Sequence, residues 1–329
     1  MAPDDDATVR LSPAVAASLT APEAAPPHRH GRRALICGLC LGAAGAAGGA
    51  WWWSRRAAGP MIADIPDAPP AVTPPAAVLP PEGPPLLDRA ALLAHRARVP
   101  TAMRWSANPL VWVLDFPSLD AQGQAMNRAA ALLEKARTPR DRVLDDQDLA
   151  AAIRADRRTP ANWYFGHNYR GSDLVRLFTL AAQAELRLNP QEAWVAEQLA
   201  LSRQIDASRD TAFLTVVAEG DHVDAAIRDS VLLHELGHGQ FFTMPFFAAH
   251  VVRVWERGFQ DAERAAIRRF LAEDGYDTTQ EELMANEAMA YLLYTPDRRF
   301  FDPARDLGWS DAQADTLRAM LRAGAPAEP

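Results

Sequence analysis

The chain has 329 residues, enough for one or two domains with a substantial core. Its 49% apolar and 23% charged residues exclude a wholly disordered chain, and its formal charge of −8 argues against a nucleic-acid partner. The only two cysteines, Cys37 and Cys40, lie near the N-terminus, so no disulfide framework serves the rest of the chain, and their CxxC spacing lacks the strand-to-helix setting of a redox motif.

Residues 1–33 are polar, carry Asp4, Asp5 and Asp6, and end in HRHGRR. They hold too little apolar surface to fold alone and read as a cytoplasmic leader. Residues 34–53, ALICGLCLGAAGAAGGAWWW, contain no charge. About 20 such residues as a helix match a hydrocarbon core of roughly 30 Å, so this segment is expected to be a transmembrane anchor. Arg32, Arg33, Arg55 and Arg56 flank it, and Trp51, Trp52 and Trp53 suit an interfacial belt. The twin arginine and small residues at Ala44 and Ala46 also fit a cleaved export signal, but the long leader and the flanking tryptophans favour an uncleaved span. The basic excess on the leader side orients the body outward, a single-pass protein of the inner membrane with its domain on the periplasmic side. Gly38 and Gly42 form a GxxxG pair that would allow weak homodimerisation in the bilayer. Residues 54–85 are rich in proline and read as a semi-rigid extended spacer.

The body, 86–329, is expected to be α+β and predominantly helical. LVWVLDF, 110–116, and TAFLTVVAE, 211–219, are its two predicted strands. Helices are predicted near 120–136, 148–155, 172–188, 190–203, 221–239, 245–257, 261–272, 279–294 and 311–322. Asp221 and Gly239 offer end signals for the fifth of these, and Pro190 suits a first helical turn.

That fifth helix contains VLLHELGHGQFF, 231–242. His234 and His238 lie one turn apart on one face, so two imidazoles can converge on one ion. Glu235 stands beside them, placed to take a proton from a water without ligating the ion. The competing reading is a buried helix with two hydrogen-bonded histidines, but the rarity of histidine, eight in the chain, weighs against it. The string HELGH resembles the HExxH signature of zinc metallopeptidases. The metzincin extension is absent, because Phe241 fills its glycine slot and Met244 its third histidine slot. The pattern is instead similar to the gluzincin type, in which a later helix supplies a glutamate.

The later helix is DTTQEELMANEAMAYLLYTP, 277–296. Thr278 with Glu281, or Thr279 with Glu282, matches a capping box and accounts for the first two glutamates. Glu287 sits mid-helix among apolar residues, where a carboxylate needs a partner. The string NEAMAY resembles the stretch around the glutamate ligand of aminopeptidase-like gluzincins. The rival pairing, Glu282 with Asn286, is similar to an ExxxD pattern in which the later residue orients a histidine. Glu287 is preferred as the third ligand.

The resemblance implies a zincin-like metallopeptidase domain with Zn2+ held by His234, His238 and Glu287, Glu235 as general base, and a peptide or protein as substrate. It also implies that the strand at 211–219 borders the cleft and pairs with an extended peptide. Tyr291, one turn after Glu287, is the first choice for stabilising the oxyanion, ahead of Tyr294, His250 and His222. His167 reads as a structural histidine and 241–255 as core. A non-hydrolytic tethered module with a degenerate site is the alternative.

Overall fold

The computed structural model describes residues 82–220 and 222–326, so the expected leader and membrane span and nearly all of the spacer lie outside the described residues. Among the described residues no helix is long and apolar enough to cross a membrane. The architecture is α+β and mostly helical.

Five strands make one mixed sheet in the order β1-β2-β3-β5-β4: β1 (Leu86–Leu87), β2 (Thr101–Trp105), β3 (Asn108–Phe116), β4 (His167–Arg170) and β5 (Ala212–Val217). β3 and β5 run parallel, while β4 lies antiparallel on the outer side of β5. Alternation along β3 divides its side chains between two faces. Trp112, Leu114 and Phe116 pack with helices α2 (Leu119–Leu133), α4 (Gly171–Gln183) and α5 (Pro190–Ile205). Val111 and Val113 face α1 (Arg89–Ala94) and the central helix α6 (Ala225–Thr243). Burial on both faces explains why 111–116 is apolar apart from Asp115, whose carboxylate is paired in the core. A short helix, α3 (Asp146–Ala155), follows α2.

A second body of helices follows: α7 (Pro245–Arg257), α8 (Asp261–Glu273), α9 (Glu281–Tyr294) and α10 (Asp311–Arg322). Its core joins Phe241 of α6 to Trp255, Leu271, Met284, Met289 and Leu317. Phe246, expected with this core, is instead 96% exposed. Helix α6 is therefore sandwiched. Leu232 and Leu236 meet the sheet, while its opposite side meets α9. Its position is pinned by Arg228, buried and bidentate to Asp115 of β3 at 2.9 and 3.0 Å, with further bonds to the carbonyls of Leu92, His95 and Val217.

Several local expectations are corrected. Helix α6 is capped by Asp224, whose side chain accepts from Ile227 N, and Asp221 lies outside the described residues. The helix runs four residues past Gly239 to Thr243. Gly239 is needed inside it, because a Cβ there would stand 2.9 Å from Val111 Cγ1. Helix α9 has Gln280 at its N-cap without a side-chain cap bond, so neither threonine builds the expected capping box. Glu281 instead accepts from Trp255 Nε1 at 3.0 Å. At Pro190 the expectation holds, and Asn189 with Glu192 completes a capping box there.

Candidate metal centre

Helices α6 and α9 cross with the two histidines of one against the glutamate of the other. His234 Nε2 and His238 Nε2 are 3.0 Å apart, and each is 3.8 Å from Glu287 Oε2. Donors at about 2.0–2.1 Å from a tetrahedral ion stand about 3.3 Å from one another, so these three atoms bracket that spacing. His238 and Glu287 are buried, at 0% and 1% exposure, and His234 is the more accessible of the histidines. The three residues form a group that can hold a metal ion.

The electrostatics call for a cation. Neither carboxylate oxygen of Glu287 has a hydrogen-bond partner among the described residues. Burial pushes the Glu287 pKa well above the usual carboxylate range, and Glu134, Glu235 and Asp274 push it further. Burial keeps both imidazoles neutral, lowering His238 to about 4 and His234 well below the usual histidine value, with His238 adding to the effect at His234. A bare buried carboxylate costs several kcal/mol, which a bound cation would offset. Two neutral imidazoles and one carboxylate are an ordinary donor set for zinc.

The outer contacts orient the donors. Thr295 donates its hydroxyl proton to Ala290 O at 3.1 Å and stands 2.7 Å from His234 Nδ1. With that proton committed, Nδ1–H must be the donor to Thr295, leaving Nε2 with a free lone pair toward Glu287. Asn286 faces His238 and holds its pKa up against burial, although the contact is too loose for a formed hydrogen bond and His238 Nδ1 has no other partner.

Glu235, next to His234 in the helix, reaches toward β4. Its Oε2 accepts from Asn168 Nδ2 of β4 at 3.1 Å. Gly166 allows this approach, because a Cβ there would collide with Glu235 Oε1. Burial raises Glu235 to about 8, partly opposed by Asn168, and a nearby cation would lower it again. Glu235 and His234 together line a cavity of about 430 Å³ whose wall includes Trp163, Tyr164, Tyr276 and Tyr291.

The other candidates sort by position. Tyr291 shares the cavity and packs its ring against His234, with centroids 4.9 Å apart. Glu282 is away from the histidines, mostly exposed, and pairs with Arg170 at 2.5 Å. Tyr294 donates to Gln240 Oε1 at 3.1 Å and lies against Gly237, outside the cavity. His250 is bonded to Met320 O at 2.9 Å and does not line the cavity, and His222 is exposed. His167 is buried on β4, 3.0 Å from Tyr169 Oη, with its pKa lowered to about 3 by burial, and it does not line the cavity. The expected cleft strand is also corrected. β5 is internal, paired with β3 and β4, and the sheet's edge beside Glu235 is β4. Gly237 and Gly239 admit Tyr294 and the sheet, not a ligand.

Thr295, Asn168 and Gly166 were not singled out by sequence reasoning. Thr295 immediately follows the α9 pattern and carried only a helix-end signal. The four-residue strand HNYR offers too little periodicity to be read. No protein-family model, curated protein or solved structure matches the chain.

Proposed function

We propose that this chain is a zinc-dependent peptidase, tethered to the inner membrane by residues 34–53 with its folded body on the periplasmic side. The observation that carries the reading is a buried His234–His238–Glu287 group whose carboxylate has no partner, beside a cavity that Glu235 lines. The resemblance of HELGH and NEAMAY to gluzincin motifs supports the same assignment.

His234, His238 and Glu287 would hold the ion through Nε2, Nε2 and a carboxylate oxygen. When bound, zinc supplies a Lewis acid and lowers the pKa of water toward neutrality. Glu235 takes a proton from the attacking water and returns it to the departing amine. Asn168 holds the Glu235 carboxylate in place, leaving its Oε1 toward Gly166. Thr295 fixes the tautomer of His234. Tyr291 is the proposed donor to the oxyanion. Burial raises its pKa, as it does for Tyr164 and Tyr276, so each remains a neutral phenol able to donate.

The test is metal analysis of the purified chain followed by digestion of a broad peptide library. Stoichiometric zinc with peptide cleavage supports the reading. Stoichiometric zinc without cleavage would turn the site into a non-hydrolytic one.

A further inference from the structure

The space around the site is crossed by a backbone strap. Residues 134–136, just after α2 on the sheet side, pair with 275–277, between α8 and α9 on the helical side. Ala136 N donates to Gly275 O at 3.0 Å and Asp277 N to Glu134 O at 2.7 Å, with Lys135 and Tyr276 as an antiparallel bridge. Side chains add further ties. Lys135 Nζ donates to Asp274 O at 2.7 Å, Arg140 to Asp277 Oδ2 at 3.0 Å, and Gln280 Nε2 to Leu133 O at 3.1 Å. Gly275 adopts φ +82°, a backbone conformation that favours glycine. These bonds join two separate parts of the fold and make the strap a built element.

The strap separates two spaces. On one side is the 430 Å³ cavity with His234, Glu235 and, from the strap, Tyr276. On the other is a polar cavity of about 340 Å³ lined by Glu134, Arg140, Asn168, Gln280 and Asn286. The two share no lining residue. Tyr276 of the strap lines the same cavity as His234, Glu235 and Tyr291, so the pairing borders the space beside the donor group. An extended chain running from one space to the other would have to cross this pairing.

We propose that the strap restricts the site to short peptides and chain ends, with an aromatic or other bulky apolar residue beside the bond that is cut. The inference rests on the peptidase reading. Water adds its hydroxyl to the acyl carbon and a proton to the amine as the C–N bond breaks. The size fits, since about 430 Å³ lies at the small end of the roughly 300–1,000 Å³ of small-ligand sites. The residue preference follows from the aromatic part of the wall, Trp163, Tyr164, Phe165, Phe270, Tyr291 and Phe300, which stands beside the charged Arg158, Asp274 and Arg299.

The experiment uses the full zinc-loaded chain carrying Glu235→Gln and reads binding by calorimetry. The ligands are a free tripeptide with central phenylalanine, its serine counterpart, and the phenylalanine tripeptide embedded in a long peptide blocked at both ends. The free phenylalanine tripeptide is expected to bind about 10-fold or more tightly than either of the others. Equal or tighter binding of the blocked peptide, equal binding of the serine tripeptide, or no binding of the free phenylalanine tripeptide overturns the proposal. Wild type is then assayed for cleavage of the same set. If the variant shows the expected selectivity and metal-bound wild type cuts nothing, the peptidase reading fails while the restriction on binding stands.

Discussion

Glu287 and Glu282 lie in the same helix but in opposite situations. One is buried with two bare oxygens, and the other is exposed and paired with Arg170. Glu287→Ala should therefore abolish stoichiometric metal binding, whereas Glu282→Ala should leave it intact. Thr295→Val removes the group that sets the His234 tautomer and should weaken metal affinity about 10–100-fold in a chelator competition. Metal retained by the Glu287 variant would refute the assignment of donors. Tyr291→Phe keeps the ring against His234 and removes only the hydroxyl. It should lower kcat by about 10²-fold with little change in KM, and an unchanged kcat would take the oxyanion role from Tyr291. His167 tests burial itself. Its folded pKa of about 3 lies below the 6.5 of an ordinary histidine, so unfolding takes up a proton between these values. Its contribution to stability is complete above pH 6.5 and is lost as pH falls toward 3. Urea unfolding of metal-free His167→Gln should thus depend less steeply on acid than wild type, by up to about 1.4 kcal/mol per pH unit. Identical slopes would contradict it.

At the scale of elements, helix α6 has two jobs at once. It covers the sheet with Leu232 and Leu236 and presents His234 and His238 to α9. Close approach on both sides depends on Gly237 and Gly239. A methyl at Gly237 would enter the Tyr294 ring, so Gly237→Ala should cost about 1–3 kcal/mol in the denaturant-unfolding free energy. A neutral result would mean that α9 can shift away without loss. Helical spacing made α6 and α9 readable, and the i, i+4 histidines marked the face of α6 that meets Glu287. Their ends were less so. Asp221, Asp224 and the two threonines before α9 all carry capping chemistry, and tertiary bonds such as Trp255 to Glu281 decide among them. The strands divide in the same way. The buried run in β3 was plain, whereas β4, with four residues and a polar sequence, is held in place by long-range contacts, its pairing with β5 and the bonds of Asn168 to Glu235 and Arg170 to Glu282.

For the whole molecule, long-range pairing determines how the site is reached. Glu287 was identifiable because a mid-helix carboxylate among apolar residues has no local explanation. The strap between 134–136 and 275–277 had no such signature, since each half is ordinary loop and the pairing exists only in three dimensions. The same holds for Arg228 and Asp115, far apart in sequence and joined in the core. The central claim is that a metal held by His234, His238 and Glu287 works with Glu235 to hydrolyse peptides. The most direct measurement compares zinc content and peptide hydrolysis in wild type and Glu235→Gln. The account predicts equal zinc in both and a loss of about 10²–10⁴ in hydrolysis for the variant. Equal hydrolysis by the two proteins, or zinc-loaded wild type that cleaves no peptide, would contradict it.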